Sequence, residues 1–196
     1  MNRNILRNRN YFVKRCNFTS TKNFPSHNPY PIRTHVSVNM AVELKIARRN
    51  IKHFSKPSSV KKTLVDAGPL IALFDKDDQY HKQMVNFFKN HHHHYISTWP
   101  VLTEVTHLLD FHPQVPIDFL SWVNEGGLTL FELNFEHLHD LIHFSKKYHD
   151  IPMDLADASL VIASQELEID QILTLDSDFH IYRTKAKKSL KNIFHR

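Results

Sequence analysis

Acidic residues stand at the points where this chain should leave a strand or enter a helix, and that placement limits its fold more than any other feature. Asp66 lies in LVDAG, Glu104 in TEVTHLL, Asp157 in MDLADAS, and Asp176 with Asp178 in LTLDSDF. Each segment is otherwise apolar, so these carboxylates are poor candidates for random surface decoration. Between them the texture alternates. KTLVDA reads as a buried β-branched strand and GPLIALFD as a helix with Pro69 in its first turn, where a missing N–H costs nothing. DDQYHKQMVNFFKN follows as a helix carrying Tyr80, Met84, Phe87 and Phe88 about one turn apart, with Asp77 or Asp78 able to cap it.

YISTW is the next strand and PVLTEVTHLLDF the next helix, with Val101, Leu102, Val105, Leu108 and Leu109 as its buried side. PIDFLSWVNEG is a helix stopped by Gly126 and Gly127, and GLTLFELN a third strand. FEHLHDLIHFSKKYH is a helix opened by an asparagine, with Leu138, Leu141, Ile142 and Phe144 near one face. DLADASLVIASQEL is an apolar helix, QILTL a fourth strand and KNIFH a short last one. Alternation of this kind predicts an α/β fold, a three-layer α/β/α sandwich around a central parallel sheet. Open sheets of that type place ligand sites at the carboxyl ends of their strands, where Asp66 and Asp176 fall.

A cluster of unpaired carboxylates repels itself, and a hard divalent cation relieves the repulsion. Such a site, with open coordination positions, suits hydrolysis of a phosphodiester. Other readings compete residue by residue. Asp66 fits equally well as the N-cap of the helix containing Pro69, Asp154 as a cap of the late helix, and Glu104 as a solvent-facing helix position.

Charge is unevenly spread. Residues 1–62 hold fourteen Lys and Arg against one acid, Glu43, a balance of +13, whereas the remainder holds eleven bases and nineteen acids, a balance of −8. The acidic part is the expected catalytic part, and residues 1–61 are expected to form a basic, disordered extension ahead of a domain at 62–196. The acid-free composition of residues 1–42 overlaps with organelle transit peptides; the competing readings are an unstructured leader or sequence upstream of an internal start at Met40. A single cysteine, Cys16, excludes an intramolecular disulfide framework and fits a reducing, cytoplasmic setting. No run of about 18 apolar residues predicts a membrane-spanning helix.

In their order, LVDAGPLIALFD, the Glu104 helix, MDLADASLVIAS and LTLDSDFHIYR resemble the PIN-domain family, in particular its VapC-like toxins, over roughly residues 62–195. The resemblance implies a small α/β/α sandwich that gathers acids around Mg²⁺ or Mn²⁺ to cleave RNA. Carried across residue by residue, it assigns Asp66, Glu104, Asp157 and Asp176 as catalytic and metal-binding, Asp178 as a further ligand and Thr174 as auxiliary; Asp154, one helical turn before Asp157, is auxiliary by its spacing. Asp178 or Asp154 would orient the attacking water.

RNA, a cognate antitoxin protein and a second copy of the chain are the partners it implies, with no membrane. Arg183, Lys185, Lys187 and Lys188 form a basic stretch suited to RNA phosphates, or a solvated tail. Tyr182 and Phe179 are candidates to stack on an unpaired base, or core residues. His91 to His94 reads as a solvated loop, His107 and His112 as surface residues, and only His180 is placed to act as a base. Two other functions compete: a catalytically inactive PIN-fold module that binds nucleic acid or protein, and a haloacid dehalogenase-type phosphatase. The second would carry its aspartate pair after an early strand; here the pair, Asp176 and Asp178, comes late.

Overall fold

The computed structural model describes residues 60–151 and 153–194. The basic stretch assigned to residues 1–61 therefore lies, but for its last two residues, outside the described part. Strands β1 (Lys62–Val65), β2 (His94–Thr98), β3 (Thr129–Phe131), β4 (Gln171–Leu173) and β5 (Lys191–Asn192) form one sheet in the order β3-β2-β1-β4-β5. All four pairings are parallel. Helices α1 (Ala67–Phe74), α2 (His81–Asn90), α3 (Trp99–Leu108), α4 (Gln114–Asn124), α5 (Leu138–Lys147) and α6 (Leu155–Glu166) flank the sheet, giving the expected α/β/α arrangement.

The central strands are the most apolar. Leu64, Val65, Ile172 and Leu173 are fully buried, as strands covered on both faces require. Helix α6 is buried all round, from Ala156 to Ser164, because its small and β-branched residues admit close packing on every side. Helix α4 ends in a hydrogen-bonded wrap, with Gly127 N donating to Trp122 O and Gly126 in the left-handed region at φ 89°. A Cβ on Gly127 would come within 2.1 Å of the Trp122 ring, so this glycine is fixed by packing.

Several expected faces differ. Leu108, Leu138 and Ile142 are exposed; the buried side of α5 is instead Asp140 and Phe144, continued by Tyr148, at helical spacing. Asp140 belongs there because Lys185 pairs with it. Asp78 does not cap α2. Its carboxylate accepts from Tyr80 N at 2.7 Å, closing the turn that leads into the helix. The histidine run is not a free loop either. His91 stacks on Phe87 at 4.1 Å, His93 bonds Thr63 Oγ1 at 2.8 Å, and His94 opens β2 and bonds Thr129 Oγ1 at 2.7 Å. No helix among the described residues is long and apolar enough to cross a membrane.

Candidate active site

The strand order reverses between β1 and β4: β2 and β3 lie on one side, β5 on the other. Crevices at such reversals, beyond the carboxyl ends of the strands, are where open α/β sheets bind ligands. Val65 pairs with Leu173, so the next residues, Asp66 and Thr174, emerge side by side at that crevice.

Asp66 is both a cap and a member of the cluster. One carboxylate oxygen accepts from Ala67 N at 2.7 Å and starts α1; the other accepts from Thr174 Oγ1 at 2.7 Å. Burial pushes its carboxyl up to about 6, with the charges of Asp176 and Asp154 adding to that and the two hydrogen bonds working against it. Thr174 is a hub. Its hydroxyl also accepts from Asp176 N at 2.9 Å, and its carbonyl accepts from Asn192 Nδ2 at 2.9 Å. Asn192 thus extends the short β4–β5 ladder by one side chain and holds the turn that aims Thr174.

At the start of α6, Asp154 is the N-cap. Its carboxylate accepts from Asp157 N at 2.9 Å, while Asp157 reaches back to Asp154 N at 3.4 Å, a reciprocal capping arrangement. Burial pushes the Asp157 carboxyl up to about 8, reinforced by the charges of Asp154, Asp66 and Asp176. Tyr182, fully buried, donates its hydroxyl to Asp157 Oδ2 at 3.3 Å, and its own ionisation is pushed up by burial first and then by the charges of Asp157, Asp178 and Asp176.

The structure therefore brings Asp66, Asp154, Asp157, Asp176 and Thr174 together. Asp178 follows in the next turn, its amide donating to Asp176 Oδ1 at 2.9 Å. Glu104 is half-buried on the second turn of α3, a helix that packs against α1 and α6.

Tyr182 and Phe179 are core, so neither is available to stack on a base. The basic stretch is only partly open. Arg183 Nη1 donates to the carbonyls of His180 and Tyr182, and Lys185 pairs with Asp140. Lys187 and Lys188 are exposed, with Lys187 in the left-handed region at φ 60°. His180 is exposed.

Sequence reasoning missed two contributors, the Tyr182 phenol as a donor to Asp157 and Asn192 as the clamp on Thr174. An aromatic just after the last acids was the one available signal for Tyr182. Asn192 gave none.

The donor chemistry fits a hard divalent cation. Burial and neighbouring acids raise the proton affinity of Asp66 and Asp157, and a 2+ ion is what would offset that cost. Their present hydrogen bonds turn them toward protein donors, and among the described residues no three His, Cys, Asp or Glu side chains already stand as ligands to one ion.

The chain matches no protein-family model and no curated protein. Among solved structures it is similar to VapC20 of Mycobacterium tuberculosis, a toxin that cleaves the sarcin–ricin loop. The TM-score is 0.56 at 14% identity, over 59% of this chain and 91% of that one. A likeness at that identity speaks to architecture, and the architecture of this chain is a PIN-like α/β/α fold.

Proposed function

We propose that this protein is an endoribonuclease dependent on Mg²⁺ or Mn²⁺, hydrolysing phosphodiester bonds of single-stranded or structured RNA in the manner of a VapC-like toxin. The observation that carries the reading is the carboxylate cluster at the sheet reversal, where burial and neighbouring acids raise Asp66 to about 6 and Asp157 to about 8. The likeness of fold to a toxin that cuts the sarcin–ricin loop supports it.

Asp66, Asp157 and Asp176 would hold the ion, with Glu104 and Asp178 as further ligands. When bound, the ion would supply Lewis acidity toward a phosphodiester oxygen and toward water. The chain's own groups do the positioning. Thr174 fixes Asp66 and the Asp176 backbone, Asp154 fixes Asp157 through the helix cap, and Tyr182 fixes one Asp157 oxygen. Lys187 and Lys188 would meet backbone phosphates. A cognate antitoxin and a second copy of the chain are the protein partners of the same proposal, and a short reading frame beside the gene would identify the first.

The test is cleavage of structured and single-stranded RNA by purified parent, Asp66→Asn and Asp176→Asn, in Mg²⁺ and in EDTA. Each variant should lose more than the roughly 10–100-fold that removal of an outer-shell metal partner costs, and EDTA should abolish the parent's activity. Parental rates in the variants would discard the site. A parent that binds RNA without cutting it would leave the binding-module reading in its place.

A further inference from the structure

We propose that Trp99 is the platform on which an unpaired nucleobase stacks beside the acidic cluster, so that the preferred substrate presents a single-stranded or splayed-out base there. This rests on the reading of RNA as the substrate and adds how that RNA is gripped.

The chain has two tryptophans with opposite fates. Trp122 is 4% exposed, packed among Phe74, Phe88 and Phe119, whereas Trp99 is 54% exposed. Among the described residues the Trp99 indole stacks on no other ring. Indoles are mostly well buried on average, because of their large apolar area, and one left in water at a crevice has area to offer a ligand.

Its place in the fold is set by two neighbours. Leu64 pairs with Ile96, so Thr98, two residues on, stands level with Asp66 on the adjacent strand, about 4.8 Å away. The Thr98 hydroxyl also lies 2.6 Å from Ser159 Oγ, and Ser159 spends its own proton on Ala156 O, so Thr98 is the donor. Ser159 is two residues past Asp157 on α6. Trp99 comes directly after Thr98, and its backbone is therefore bracketed by the elements that carry Asp66 and Asp157.

The mounting is rigid. Trp99 is the first residue of α3, Pro100 follows it, and Thr103 Oγ1 donates to Trp99 O at 3.0 Å. A ring on a fixed helix start loses little freedom when a base covers it. Leu155, the first residue of α6 and next to Asp154, is 56% exposed.

The chemistry selects the ligand. Without a metal the carboxylates repel phosphates, so a grip on RNA beside the cluster in that state is best supplied by a group with no charge, and the π-face of a base is one. Stacking tolerates any sequence but requires an unstacked base, which a continuous duplex does not present. Phe179 and Tyr182, the other aromatics near the acids, are buried.

The experiment reads binding without cleavage. A short unstructured oligoribonucleotide is titrated into the parent, Trp99→Phe and Trp99→Ala in EDTA, following tryptophan emission and, separately, the anisotropy of a labelled oligonucleotide. The expected result is quenching in the parent that is absent from Trp99→Phe, whose remaining indole is buried. Affinity should be near parental for Phe and weaker by roughly 5–150-fold for Ala. The same sequence as a blunt duplex should not quench.

Equal affinities for parent and Ala, or no quenching on saturation, would overturn the platform. Those outcomes are separable from failure of the nuclease reading, which would appear as quenching with no cleavage when Mg²⁺ is restored.

Discussion

The two ends of the central sheet bury titratable groups in opposite ways. At the carboxyl ends of the strands, Asp66 and Asp157 are desolvated beside further acids, and each is pushed above the ordinary carboxylate range, to about 6 and about 8. At the amino ends, His93 and His94 are held below their ordinary value, first by burial and then by neighbouring cationic groups. Histidines meet burial by giving up a proton and standing neutral at physiological pH, with Thr63 and Thr129 hydroxyls as partners. Acids meet it only by keeping a proton. The histidine end is therefore at rest near neutrality, while at the acid end Asp157 keeps its proton and a cation would be what releases it.

The largest expected effect tests that difference directly. Mg²⁺ at ~100-fold excess over its Kd should stabilise the parent by about 2.7 kcal/mol, roughly 5–11 °C in Tm for a chain of this size. The Asp66→Asn, Asp176→Asn double variant should shift little. Replacing His91 to His94 with glutamine should leave the Mg²⁺ response intact, since Mg²⁺ prefers oxygen ligands. Equal shifts in parent and double variant would mean that the two ends do not differ in this way.

A smaller effect appears in metal-free thermal melts across pH. For Asp157 the folded value, about 8, lies above the unfolded 3.8. The folded state thus binds more protons in between, and stability is lost as pH rises through that window. For His93 and His94 the folded values lie below 6.5. Their contribution is present above the unfolded value and is lost as pH falls through 6.5 toward the folded values. The two ends tilt the curve in opposite directions, and between about pH 7 and 8 only the acid end acts. Over that interval the Tm of the parent should fall, that of Asp157→Asn should stay flatter, and His93→Gln should follow the parent. A parent curve that rises there would contradict the burial of Asp157.

The smallest effect sits on the amino end of the sheet. Helix α6 closes through Ile169 N to Ser164 O at 3.0 Å, with Glu168 at φ 54° in the position that glycine holds at the end of α4. Left-handed backbone costs a non-glycine residue about 1–2 kcal/mol. Glu168→Gly, offset by glycine's greater chain entropy, should raise Tm by about 1–3 °C and leave RNA cleavage unchanged. A fall in Tm would show that the exposed carboxylate has work to do at that end.

Much of this contrast was legible in the residues. Asp66 was legible because it directly follows a β-branched run, although the same position reads equally as a helix cap, whereas Asp176 stands beyond the end of β4, past Thr174 and Leu175. Asp154 and Asp157 were legible as a pair from their three-residue spacing at a helix start. What could not be read were contacts across distant sequence. Tyr182 meets Asp157 from 25 residues away and Thr174 meets Asp66 from 108 away, and neither bond leaves a periodic trace.

Periodicity also misled. Leu138 and Ile142 carry an apolar pattern, yet Asp140 takes the inner face because Lys185 neutralises it. The histidine run looked like a polar loop because composition says nothing about ladder pairing, which places His94 opposite Lys62.

Asn192 carries a consequence for how the protein is made. It belongs to the last strand described and clamps Thr174, which in turn fixes Asp66 and the Asp176 turn. During translation at ~5–20 residues per second, on the order of 6–25 s separates the appearance of Asp66 from that of Asn192. A nascent chain thus carries its acids while their geometry is still unset. A messenger cut short ahead of Lys191 would yield a chain with its acids present and their clamp missing.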